Sequence, residues 1–139
     1  MPTHHTPLSE TELEVLKVLW DRGSGTVREV NELLAGQGRR WAYTTVLTLL
    51  ARLEAKRYVA SDKSGLAHVF RPLVSRDKLL SRRLDRLAAE LCDGTTTPLV
   101  HALVQGQRFT AEEIERFREL LDELEAKPQT KPTQRKRKS

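Results

Sequence analysis

The chain has 139 residues, of which 38% are hydrophobic, 31% charged and 5% aromatic, a balance that suits one ordinary domain or two very small ones and is too apolar for disorder throughout. Its net charge of +5 is unevenly spread: residues 1–37 carry −3, residues 38–87 carry +8, residues 88–127 carry −5 and residues 128–139 carry +5. A basic middle suits a polyanion, and an acidic segment is repelled by one and suits a protein partner.

The first helix is expected to start at Ser9, because Ser9 and Glu12 have the S-x-x-E spacing in which each side chain satisfies a free backbone N–H of the other. Leu13, Leu16, Leu19 and Trp20 follow at helical spacing, and Gly23 and Gly25 end the run. Thr26 and Glu29 repeat the capping pattern ahead of Val27, Val30, Leu33 and Leu34, and Gly36-Gln37-Gly38 closes this second helix. A third helix runs from Ala42 to Ala55 with Val46, Leu49, Leu50 and Leu53 as its core stripe. At 100° per residue, Thr44, Thr48, Ala51 and Ala55 fall opposite that stripe, flanked by Thr45 and Arg52. A helix facing only solvent fills such positions with Glu, Lys or Gln, which are better helix formers than threonine. The threonines therefore read either as tolerated or as a face kept for a ligand.

Tyr58–Ser61 and Ala67–Pro72 are strand-like, with a turn over Asp62–Leu66. Two strands alone are marginal in water and must pack on the helices. Three helices followed by a hairpin make a winged helix-turn-helix over residues 8–74. In that arrangement the third helix enters the major groove of DNA. Thr44, Thr45 and Thr48 offer hydroxyls to bases or phosphates and methyls to thymine. Trp41 just before this helix and Tyr43 in its first turn are also expected among the DNA-binding residues. Arg39, Arg40 and Arg52 surround the face and can neutralise phosphates. Lys63 at the wing turn, with His68 and Arg71 on the following strand, reaches the flanking backbone.

Residues 75–127 are helical throughout. A long helix over residues 75–92 carries Leu79, Leu80, Leu84, Leu87 and Leu91, and Asp93-Gly94 breaks it. Thr97 as N-cap and Pro98 at the first position open a short helix with Leu99, Val100, Leu103 and Val104. Thr110 and Glu113 cap a last helix, whose stripe is Ile114, Phe117, Leu120, Leu121 and Leu124. Three short helices do not bury such stripes among themselves. They either pack back on the first unit or pair with a second copy, and the two-fold dimer is the expected arrangement. Residues 1–7 read as a flexible N-terminus and residues 128–139 as a disordered basic tail.

Other features stay minor. No apolar run approaches the roughly 20 residues of a membrane span, and the N-terminus lacks the basic and apolar regions of a secretory signal, so a cytoplasmic protein is expected. A lone Cys92 excludes an intrachain disulfide framework and a multi-cysteine metal site. No nucleophile–base arrangement, phosphate-binding glycine loop or metal-ligand spacing is present, so neither an enzyme nor a cofactor is expected. His4-His5 reads as incidental, and His101 as a packed or interface residue.

The run from Leu8 to Trp20 resembles the start of the BlaI/MecI penicillinase-repressor family, and Trp41 to Leu53 is similar to its recognition helix. The likeness extends from residue 8 to about residue 127. It implies a homodimeric winged-helix repressor bound to a TACA/TGTA-type palindrome in a promoter. It also implies dimerisation through the C-terminal helices and induction by proteolysis there, triggered by a membrane sensor protease. The chain departs from the family in places. Ala102-Leu103 stands where well-studied members are cut between Asn and Phe. Thr44 replaces a lysine of some members, and Arg57 replaces a glycine common after the third helix. The tail lacks the cysteine-rich hook of copper-responsive relatives. The competing reading is a winged helix that binds protein and not DNA, with the acidic residues 112–125 as its surface.

Overall fold

The computed structural model describes residues 7–127. The expected N-terminal arm short of Pro7, with His4-His5, and the basic tail at 128–139 lie outside the described residues. Helix α1 (Glu10–Arg22) begins at the expected capping box: Glu12 N–H donates to Ser9 Oγ at 3.1 Å, and Ser9 N–H donates to Glu12 Oε1 at 3.0 Å. It ends at Gly23, whose φ of 100° lies in the region where a side chain is strained. Strand β1 (Gly25–Thr26) leads into helix α2 (Val27–Gly36), which is capped reciprocally by Thr26 and Glu29. Helix α3 (Tyr43–Ala55) then packs against both α1 and α2.

The core is where these three helices meet. Val15, Leu16 and Leu19 of α1, Val30 and Leu34 of α2, and Val46, Leu50 and Leu53 of α3 are buried in one cluster. At about 1.5–3 kcal/mol for each fully buried aliphatic side chain, this cluster supplies the main cohesion of the unit. Leu33 was expected on the core face of α2 but is exposed. At 100° per residue it lies on the flank of the stripe made by Val27, Val30 and Leu34.

Strands β2 (Val59–Asp62) and β3 (Val69–Pro72) pair antiparallel, with Val59 opposite Pro72 and Asp62 opposite Val69. The sheet has a third strand, because β1 pairs with β3 and gives the order β1-β3-β2. Tyr58, Ala67 and His68, expected in strands, fall just outside them, and Asp62, expected in the turn, ends β2. The order of three helices and a hairpin is that of a winged helix.

Helix α4 (Arg76–Leu91) is capped by Ser75, and Asp93 and Gly94 with positive φ separate it from helix α5 (Thr97–Gly106). The residue before α5 is Thr96, not Thr97, and it makes no side-chain cap bond. Helix α6 (Ala111–Ala126) opens at the expected Thr110–Glu113 box. Apart from Leu79 and Ala88 of α4, no residue of these three helices is buried. Leu79 joins the core of the winged helix, and the rest of the stripes stay exposed or half-buried in the single chain. No helix of the described residues is long and apolar enough to cross a membrane.

Candidate nucleic-acid interface

Helix α3 presents its outer face as the periodicity predicts. Thr44, Thr45, Thr48, Ala51 and Arg52 are exposed, while Val46, Leu49, Leu50 and Leu53 fix the opposite side in the core. Between the two lies an edge made by Tyr43 and Leu47, which are 53% and 43% exposed. Leu47 escaped the sequence reading because it was counted with neither the core stripe nor the threonine face. Its angle, about 100° from Val46, was the available signal. The outer face thus combines hydroxyls, methyls and an apolar edge without an acidic side chain in its first two turns. That is a surface able to lie against base edges.

The loop before α3 anchors this helix. Arg39 Nε lies 3.2 Å from Glu14 Oε1, and its guanidinium stacks 6.0 Å from the centre of the Trp41 ring. Trp41 is partly buried against the core, and its carbonyl accepts from Asn31 Nδ2 at 2.9 Å. Arg39 and Trp41 are therefore turned toward α1 and α2, so that they hold the start of α3 in place. Arg40, beside them, is exposed and appears in no ion pair among the described residues. Asn31 is a positioning residue that sequence reasoning missed, since a single polar residue on an amphipathic helix gives no periodic signal.

The far end of α3 is also fixed. Arg57 has φ of 69°. Its N–H donates to Glu54 O at 3.0 Å, and Tyr58 N–H donates to Leu53 O at 2.9 Å. These two bonds are the Schellman ending, normally built on glycine. Lys56 Nζ reaches back to Glu12 Oε1 at 2.7 Å and to the Pro7 carbonyl at 3.0 Å, tying α3 to the start of α1. Burial pushes the Glu12 carboxyl up, but the Lys56 ammonium and the Ser9 N–H outweigh it and hold the group below the ordinary value.

The wing turn carries Lys63 and His68, both exposed, with Arg71 exposed on β3. Asp62 accepts from the hydroxyl and N–H of Ser64 at 2.6 and 2.9 Å, which shapes the turn and holds its carboxyl below the usual range. The wing tip ends in Leu66, which is fully exposed. Among the described residues no group of three His, Cys, Asp or Glu side chains is placed to hold a metal ion. Cys92 is half-buried at the end of α4.

The expected dimer residues lie on the three C-terminal helices. Leu80, Leu87 and Leu91 of α4, Leu103 of α5, and Ile114, Phe117, Leu121 and Leu124 of α6 are exposed in the single chain. Leu84 and Leu99 are half-buried. Ala102 and Leu103 lie in the middle of α5.

The model of a family described as penicillinase repressor matches residues 8–123. The transcriptional regulator BlaI of Mycobacterium tuberculosis (strain CDC 1551 / Oshkosh) is 39% identical over 124 residues, covering 87% of each chain. The penicillinase repressor of Bacillus licheniformis is 27% identical over 116 residues, covering 84% of this chain and 90% of that one. The solution structure of the DNA-binding domain of the repressor BlaI overlays with a TM-score of 0.48 at 30% identity, over 55% of this chain and 93% of that one. The breadth of the family match, with a relative this similar over most of both chains, shows that the chain belongs to the penicillinase repressor family, a family of transcriptional repressors and not of enzymes.

Proposed function

We propose that the chain is a homodimeric repressor that occupies a palindromic promoter operator. In this reading residues 8–74 are the DNA-binding unit, with α3 in the major groove and the wing on the flanking backbone. Residues 75–127 hold two copies together. The observation that carries the reading is the outer face of α3: three exposed threonines beside the exposed cations Arg40 and Arg52, on a helix locked at both ends. Thr44, Thr45 and Thr48 touch bases or the sugar-phosphate edge, and Tyr43 and Leu47 meet thymine methyls. Arg40, Arg52, Lys63 and His68 meet phosphates, which position the protein without reading sequence. The site of action is the cytoplasm, where the promoter lies.

Release follows an inducing signal. Cleavage at or near Ala102–Leu103, by a membrane sensor protease or one downstream of it, would separate α6 from the rest and leave the reading helix whole. The support for this is local: α5 has no side-chain N-cap bond and buries no residue.

The test is a gel-shift series on the promoter palindrome and on a scrambled duplex of equal length, with salt varied. Thr48→Ala is expected to cost about 1–3 kcal/mol on the palindrome and little on the scrambled duplex. Arg52→Ala is expected to weaken both and to lower the salt slope by about one. Binding by the wild type that ignores both sequence and salt rejects the repressor reading in favour of a protein-binding winged helix.

A further inference from the structure

The DNA-binding unit and the C-terminal helices are joined by three residues, Leu73, Val74 and Ser75, between β3 and α4. All three are held. Leu73 N–H donates to the Tyr58 carbonyl at 2.8 Å, extending the β2–β3 ladder. Val74 is buried, and its carbonyl accepts from the indole Nε1 of Trp20 at 2.8 Å. Ser75 Oγ accepts from Lys78 N–H at 3.0 Å as the cap of α4. The first residue of α4 then closes over the same tryptophan. The Arg76 guanidinium sits 5.2 Å from the centre of the Trp20 ring, and its Nη2 lies 3.1 Å from Asp21 Oδ1. Leu79, one turn on, is buried in the same core.

A connection between two units is ordinarily a flexible segment with few cross-contacts. Here the end of α1 grips the connector and the helix that follows it. We propose that the joint of Trp20, Asp21 and Arg76 fixes the angle between the DNA-reading unit and the dimer helices, and so selects the distance between the two half-sites that the protein accepts. Trp20, Asp21 and Arg76 are then positioning residues for specificity and touch no DNA. This inference rests on the two-site repressor reading above.

Lever length explains why the angle matters. A helix of 16 residues, such as α4, is about 24 Å long. A change of about 20° at its root moves the reading unit by about 8 Å relative to the far end. Half-sites one helical turn apart are separated by about 34–36 Å, so 8 Å corresponds to more than two base pairs. A loose joint therefore accepts several spacings, and a tight one accepts a single spacing. The pair between Arg76 and Asp21 is exposed and weak by itself. The bond from Trp20 to the Val74 carbonyl is the stronger restraint, because it is partly buried and Val74 is a member of the core.

Two measurements test the joint. In the full chain with Cys92→Ser, spin labels at Lys63→Cys in the wing and Ala89→Cys on α4 report the angle inside one copy, once labelled protein is diluted with unlabelled. The expected result is one narrow distance distribution, broadened by Trp20→Phe, which keeps an aromatic ring and loses the donor, and less so by Arg76→Gln. Unchanged distributions in both variants overturn the proposal. The second measurement uses TACA/TGTA palindromes with spacers lengthened or shortened by one and two base pairs. The wild type is expected to lose about tenfold or more in affinity at a two-base-pair change, and Trp20→Phe about threefold or less, through loss of the two-site linkage. Arg76→Lys, which keeps the pair with Asp21, is expected to restore part of the selectivity lost in Arg76→Gln. Equal selectivity in the wild type and Trp20→Phe overturns the spacing role. A wild type indifferent to spacing overturns the two-site reading and the spacing role together, while the label distances still judge the joint. Far-ultraviolet melting shows that each variant is folded, and Arg76, being exposed, supplies a variant that leaves the core untouched.

Discussion

At the scale of single residues, two positions bear on stability in opposite directions. Glu12 is buried at the start of α1 and is paired with Lys56 across the core edge. Its carboxyl is held below the ordinary glutamate value of 4.5, so the folded state binds its proton less readily than the unfolded state does. The stability from this depression is fully present above the ordinary value and is lost as pH falls through the lowered one. Glu12→Gln is expected to cost about 1–3 kcal/mol at pH 7, because it removes the carboxylate charge that pairs with the Lys56 ammonium and leaves that group only neutral acceptors such as the Pro7 carbonyl. That difference should shrink steadily as pH is lowered below the ordinary value, and urea unfolding of both proteins across the range checks it. Arg57 is the opposite case. A non-glycine residue in the left-handed region costs about 1–2 kcal/mol. Arg57→Gly removes that cost but returns about 0.5–1 kcal/mol to the unfolded chain as entropy. The expected gain is about 0.5–1 kcal/mol, seen as a rise of several degrees in Tm. An unchanged or lower Tm would show that the arginine side chain contributes a contact worth more than the strain.

At the scale of elements, legibility in the sequence followed the length of the pattern. The reciprocal caps at Ser9, Thr26 and Thr110 depend on two residues three apart, and each stands where the spacing placed it. The core stripe of α3 has four members over two turns and was equally plain. Strand β1 was not legible, since two residues carry no alternation and its pairing with Val69 and Phe70 is a long-range backbone event. The anchoring of Arg39 and Trp41 was hidden for a related reason. Their neighbours Glu14 and Asn31 lie on two other helices, and only the packing of α1 and α2 brings them together. In sequence Arg39 looked the same as Arg40. Helix α5 yields a prediction at this scale. It is ten residues long, has no side-chain N-cap bond and buries no residue, and isolated helices below about 12–15 residues are marginal in water. Amide exchange at Leu103 and Val104 is expected to be at least about tenfold faster than at Leu50 and Leu53, which open only with the whole core. Equal protection would place α5 in the same cooperative unit as α3 and remove the physical basis for cleavage between Ala102 and Leu103.

At the scale of the whole molecule, the chain divides its apolar surface between two destinations. The winged helix shares one core with Leu79 of α4, while the remaining apolar stripes of α4 and α6 lie largely in the open. Leu80, Leu84, Leu87 and Leu91 are spaced four, three and four apart, and Ile114, Phe117, Leu121 and Leu124 three, four and three apart. That is the repeat of a helix seam which packs against another helix. An exposed seam of this kind is unfavourable in water, and the proposed pairing of two copies would cover it. A fragment of residues 1–74 keeps every member of the core cluster except Leu79 and is expected to fold as a monomer. Its melting temperature should not depend on protein concentration, whereas that of the full chain should rise with concentration, because association stabilises the folded state by mass action. On a palindrome the fragment should bind as two independent units. It forfeits the linkage that makes the second half-site an intramolecular target, a loss of about 10²–10⁴ in affinity, while its affinity for a single half-site stays near that of one copy in the full chain. Sedimentation of both proteins, with titrations on whole and half palindromes, separates these quantities. A dimeric fragment would place the two-fold contact within the winged helix, and a monomeric full chain would leave the seams of α4 and α6 for a different partner.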